Sequence, residues 1–170
     1  MEITMTALQI SSTKQFMNHL LAAETFDSFL LEEAVISTAN TFTIDGHVNR
    51  EFYQNDENTD SQNIPEFRPW SELKSLCFDL IKGRRTPLFF RFVLHLKPEK
   101  ALALLEKEGC EIDLAQLKAL VLTIRYDGSK AVLTTATALR TFLPSKEPDA
   151  IWDRALTRYL DREGISYEIL

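Results

Sequence analysis

Glycine is scarce in this chain, at five among 170 residues. So few glycines leave no glycine-rich phosphate loop, and HExxH, EF-hand and dinucleotide-binding fingerprints are missing as well. Any cradle for a phosphate would therefore have to be made of side chains. Cysteine is rarer still. Cys77 and Cys110 lie far apart without a CxxC or Cys/His spacing, which argues against a zinc site and against a disulfide scaffold. No motif calls for a cofactor or a metal. Positive charge is also short: 19 Lys and Arg against 25 Asp and Glu give a net charge of −6 and a pI near 5.1. That balance argues against nucleic acid as the partner, because nonspecific affinity for phosphates comes from clustered cations. The opening residues, MEITMTALQI, carry an acid at position 2, no basic segment and no long apolar run. The expectation is no signal peptide, no membrane span and a cytoplasmic protein.

What is present is an ordinary globular composition, 45% hydrophobic and 26% charged, sufficient for one sizeable core in a single α+β domain over residues 1–170. The longest alternating run starts at Phe42. Phe42, Ile44, Val48 and Phe52 fall on one side of a strand, and Thr43, Asp45, His47, Asn49 and Glu51 on the other. Gly46 inside that run marks a bulge or a close approach of another backbone. The preceding run, Phe29 to Ser37, reads as its hairpin partner, joined through Thr38 to Asn40 with Asn40 suited to a left-handed conformation.

Around this hairpin the chain reads in order. A first strand occupies about 2–10, and Ser12 with Gln15 forms a capping box opening a helix to about Ala23. Residues 54–67 are nearly devoid of apolar side chains and read as a loop. A second helix starts at Trp70 with Cys77 on its apolar stripe, and Gly83 stands at its end. In Thr86–Lys97 the residues Leu88, Phe90, Phe92, Leu94 and Leu96 share one uninterrupted apolar face, so this strand is predicted to be central. Pro98 begins a third helix. Two further strands meet at Asp127-Gly128, and a last helix runs from Glu147 with Gly164 beyond it.

The order strand, helix, strand, strand, helix therefore occurs twice. It predicts two β-α-β-β-α repeats, about 1–85 and 86–170, forming a mostly antiparallel six-stranded sheet with helices mainly on one face. The segments Thr25-Phe26-Asp27, Phe42-Thr43-Ile44-Asp45-Gly46-His47 and Ile81-Lys82-Gly83-Arg84-Arg85-Thr86-Pro87 resemble those of an uncharacterised family of small bacterial proteins. The resemblance covers nearly the whole chain. It implies a cytoplasmic, single-domain protein with no assigned activity, and it transfers no catalytic residue.

Candidate site residues follow from the alternation. Asp45, His47 and Asn49 at i, i+2 and i+4 would form a ligand row, with neighbours about 7 Å apart and too far for direct contact unless Gly46 bulges. Arg91 and His95 lie on the less apolar face of the central strand, and Arg125 is similarly placed in the second hairpin. Together they would hold an anionic small molecule or a partner's acidic segment by bidentate contacts. The plain alternatives are a solvated face for the first three and cross-strand ion pairs for the arginines. Lys82, Arg84 and Arg85 follow a helix C-terminus and read as capping residues. The leading function is thus a non-catalytic domain that binds a small polar ligand or a protein through an open polar sheet face. The alternatives are a hydrolase-like enzyme with His47 as general base and Asp45 or Glu51 orienting it, and a homo-oligomeric adaptor that completes a homodimer.

Overall fold

The computed structural model describes residues 6–54, 64–143 and 145–170. Among them the elements are β1 (Ala7–Ile10), α1 (Thr13–Leu21), β2 (Phe29–Ser37), β3 (Thr41–Asp45), a 3-10 turn (Arg50–Tyr53), β4 (Arg68–Pro69), α2 (Trp70–Ile81), β5 (Phe89–Leu96), α3 (Pro98–Lys107), β6 (Leu117–Tyr126), β7 (Ala131–Leu139), α4 (Glu147–Arg162) and β8 (Tyr167–Ile169). The fold is α+β, with four α-helices and one open antiparallel sheet of eight strands.

The strands run in the order β3-β2-β5-β6-β7-β1-β8, with β4 also on β2. Six strands were expected. The two extra ones, β4 and β8, have two and three residues, too few to carry a period-two signal. Strand β5 lies between β2 and β6, as its unbroken apolar face predicts. The two halves do not place their strands equivalently: β5 lies beside the first strand of each hairpin, β2 and β6, whereas β1 lies beside β7.

Alternation along the strands sorts the side chains cleanly. Leu8, Ala34, Phe92, Ile124 and Leu133 follow one another across paired strands on one face, and each is fully buried. All four helices contribute to that same core, through Phe16 and Leu20, Trp70 and Cys77, Ala101 and Leu105, and Ile151 and Leu156. A fully buried leucine, isoleucine or phenylalanine among them contributes about 1.5 to 3 kcal/mol. Two indole N–H groups are satisfied inside: Trp70 Nε1 donates to the Leu20 carbonyl at 2.9 Å, and Trp152 Nε1 to the Val121 carbonyl at 2.8 Å. The segment after α1 is tied down from three sides. Phe26 is buried against Phe16, Asp27 pairs with Lys74 at 2.7 Å, and the Tyr159 hydroxyl donates to the Thr25 carbonyl.

Two local expectations need correction. The strand from Phe42 ends at Asp45 instead of continuing to Phe52, and Phe52 is 83% exposed on the 3-10 turn. The cause is Asp45, whose Oδ1 accepts from the His47 backbone N–H at 3.0 Å and turns the chain out of the strand. Asn40 is not left-handed, since no non-glycine residue among those described has positive φ. The hairpin instead closes by Thr38 N–H donating to the Asn40 carbonyl at 2.8 Å. The expected first strand is present over Ala7–Ile10, and residues 2–5 and most of the 54–67 loop lie outside the described residues.

Candidate functional site

With each of the four helices packed on one side, the other face of the sheet has no helix over it among the described residues. Strand register builds its rows. One runs Asp45, Glu33, Val93, Thr123, Thr134, Ala7, and the next runs Thr43, Val35, Arg91, Arg125, Val132, Gln9. Glutamate, arginine and threonine here alternate with buried apolar residues along the chain, which is why the face stays half-exposed and polar while the opposite one closes.

Arg91 and Arg125 face each other directly across β5 and β6. Like charges opposed in this way repel. Two contacts offset that repulsion: Arg91 Nη2 donates to Glu33 Oε1 at 2.9 Å, and the Arg125 guanidinium lies 5.8 Å from the Phe89 ring centre. Cross-strand ion pairing is thus present at Arg91. Neither guanidinium is sealed, because the Arg91 side chain is 34% exposed and Arg125 is exposed as well.

At the β2 end of the face two imidazoles bracket one aromatic ring. Phe67, from the segment before β4, has its ring centre 4.3 Å from that of His47 and 4.8 Å from that of His95. His95 is consequently only 5% exposed, with Nε2 3.5 Å from Glu32 Oε1. Burial is the largest influence on it and pushes its pKa below the ordinary 6.5, partly opposed by the Glu32 carboxylate. Burial of His95 departs from the expectation of an open polar residue. It shares Arg91's face, but Phe67 covers it.

Asp45 and His47 do touch. Asp45 Oδ1 contacts His47 Nδ1 at 2.7 Å while accepting from the His47 amide, so the direct pair that plain strand spacing forbids is made by the turn at Gly46. The backbone hydrogen bond from His47, followed by its ring, holds the Asp45 carboxyl below its usual 3.8. Gly46 is required there: a Cβ at this position would stand 1.7 Å from the Leu31 carbonyl oxygen. Its N–H donates to the Glu32 carbonyl at 2.8 Å, and its own carbonyl accepts from Arg68 N–H at 2.9 Å.

Asn49 leaves the row. It precedes the 3-10 turn with no side-chain capping bond, and joins Asp45 and His47 only as a wall of a cleft of about 200 Å³ that Tyr53, Arg68 and Leu73 also line. Tyr53 has the only hydroxyl among the described residues of that cleft. No group of three or more His, Cys, Asp or Glu side chains among the described residues is placed to hold a metal ion.

The sheet therefore brings Asp45, Arg91, His95 and Arg125 to one face, with His47 joined to it through Phe67. Glu33 and Phe67 belong to the same surface without having been singled out by sequence. Glu33 was available from the alternation of β2, being two residues from Val35. Phe67 had no signal, because it arrives from an irregular segment. No helix among the described residues is long and apolar enough to cross a membrane.

A family model described as a family of unknown function (DUF5721) matches residues 19–168. No curated protein and no solved structure matches the chain.

Proposed function

The chain belongs to DUF5721, a family of unknown function, and from that premise we propose that it is a non-catalytic binding module whose helix-free sheet face docks an acidic segment of a partner protein. The observation that carries this reading is the arginine pair at the centre of the face, Arg91 opposite Arg125, set among half-buried Val35, Val93 and Val132. Two adjacent guanidinium groups can donate bidentately to carboxylates, and the valines provide apolar area beside them. A sheet face is flat. Small ligands prefer concave sites, which favours a protein as the occupant over a small polar molecule.

A hexaglutamate peptide titrated into isotopically labelled protein tests it by amide chemical shifts. The reading expects changes centred on Arg91, Val93 and Arg125, lost in the Arg91→Gln/Arg125→Gln double variant while its melting temperature stays within a few degrees of wild type. Changes that survive the double substitution, or that avoid β5 and β6, overturn it.

A second reading draws on the Asp45–His47 contact of 2.7 Å beside its cleft, the arrangement a general base and its orienting carboxylate would have. It predicts that His47→Ala abolishes turnover of an ester or phosphoester substrate, and a search that finds no turnover by the wild type would remove it. A homodimer completed through an unpaired edge strand or the Trp152 and Tyr159 face is the remaining alternative, and sedimentation at high concentration separates it from docking of a different protein. The cytoplasmic setting is part of the proposal, supported by Cys77 and Cys110 being buried free thiols. Internal duplication is likewise an inference, resting on the recurrence of strand, helix, hairpin and helix.

A further inference from the structure

Away from the sheet face, a cleft of about 600 Å³ opens between the first turn of α1 and the loop that follows α2. Three cations line it: Lys14 from α1 and Arg84 and Arg85 from the loop. No aspartate or glutamate among the described residues lines it, in a chain where acids outnumber bases by 25 to 19. None of the three has an ion-pair or hydrogen-bond partner among the described residues. This differs from Lys82 in the same loop, which pairs with Asp79 at 2.9 Å.

Helix capping does not account for these arginines. The C-terminal turn of α2 is closed by the Lys82 amide donating to the Phe78 carbonyl, and the loop then continues to the buried Pro87. Buried Ile81 and Pro87 anchor the loop at both ends, and Leu88 N–H bonds the Ser37 carbonyl at 2.9 Å. Arg84 and Arg85 are thus carried on a segment fixed to the core. Thr13, Thr86 and Tyr126 also line the cleft, with Met17, Ile81 and Phe90 beside them. The first turn of α1 contains no acid, so its free amides add partial positive charge on the same side.

From the cleft, its three cations and the lack of carboxylates and of partners for them among the described residues, we infer that it binds a small phosphorylated molecule, a diphosphate or phosphate ester, with the arginines and Lys14 on the phosphate oxygens and the apolar residues against the remainder. A glycine-poor chain would have to build such a cradle from side chains, and this one has the required set. The inference is independent of the sheet-face reading.

Calorimetric titration of the full chain with inorganic pyrophosphate, at fixed ionic strength and neutral pH, is the test. Saturable binding is expected, weakened about 100-fold in Arg84→Gln/Arg85→Gln, taking about tenfold for each charge-assisted contact removed. The Arg91→Gln/Arg125→Gln variant should bind as wild type does. Sulfate at the same concentration should bind at least about tenfold more weakly, since it offers fewer oxygens to the three cations. Amide shifts of the wild type with pyrophosphate should map to residues 13–14 and 84–86, which keeps the test decisive if the double variant fails to fold. Absence of binding at millimolar pyrophosphate, equal binding by sulfate, or binding unchanged by the double substitution each overturns the inference.

Discussion

Replacing Gly46 by alanine tests the joint between the sheet and the Asp45–His47 turn. The new Cβ would lie 1.7 Å from the Leu31 carbonyl oxygen, 2.6 Å from its carbon and 3.1 Å from the Glu32 oxygen, all backbone atoms that cannot rotate away. Relief requires the two segments to part by about 1.5 Å, judged from an ordinary carbon–oxygen contact of over 3 Å. Gly46 N–H to Glu32 O at 2.8 Å joins them directly, and Arg68 N–H to Gly46 O at 2.9 Å ties Gly46 to β4, which is itself paired with β2, so a shift of Gly46 away from β2 breaks both. Two lost backbone bonds cost about 1 kcal/mol each, and overpacking adds about 1 to 3 kcal/mol. A loss of about 4 kcal/mol follows, which for a chain of this size lowers the melting temperature by about 8 to 16 °C. Gly109→Ala is the control, because Gly109 has a φ of +79° but nothing within 4 Å of an added Cβ. It should cost only about 1 to 2 kcal/mol of left-handed strain. Calorimetric melting of both variants, with urea unfolding for the free energies, decides the matter. A Gly46→Ala protein that melts within about 2 °C of wild type would refute the close approach.

Two further outcomes follow from buried polar groups. His95 has a folded pKa below 6.5, so its stabilising contribution is complete above that value and is lost as pH falls toward the folded pKa, while the unfolded chain takes up the proton first. Urea midpoints measured from pH 7.5 to pH 5 should therefore fall with a slope that His95→Gln reduces, and an unaltered slope would place the effect elsewhere; Asp45, shifted below 3.8, acts only in more acid solution. Trp70→Phe removes the indole bond to the Leu20 carbonyl and part of a fully buried side chain. It should cost about 2 to 3 kcal/mol by chemical denaturation, and a loss under about 1 kcal/mol would show that the bond is not made.

Much of this architecture was legible from periodicity, because burial on one side only writes itself into the residue order. Strand β2 runs from Phe29 to Ser37 as its composition implies, and the strand carrying Phe90, Phe92 and Leu94 lies inside the sheet. Cys77 is in the core of α2. What periodicity mistook was the run after Asp45, where alternation continues through Val48 to Phe52 although a side-chain-to-backbone bond has already ended the strand. Alternation says which residues could share a face, and not whether the ladder persists.

The candidate site shows the same division. Arg91, Arg125 and Asp45 could be placed on one face because they lie on regular strands. Burial of His95 could not be read, since Phe67 reaches it from a segment without period. Arg84 and Arg85 were read as helix caps from their position alone, and their lack of partners emerges only when α1 is seen packed alongside α2 with Lys14 at the mouth of the same cleft.

Accessibility of the sheet face in solution bears most directly on the whole account. A cysteine introduced as Val93→Cys, at the centre of the rows between Glu33 and Thr123, can be timed against a thiol reagent beside the native cysteines. The account predicts rapid labelling at position 93, slowed by an acidic partner. Cys77 should resist the reagent, being fully buried with its thiol pKa pushed up to about 12. Protection at position 93 equal to that of Cys77 in the isolated protein would contradict it, because the face would then be covered already.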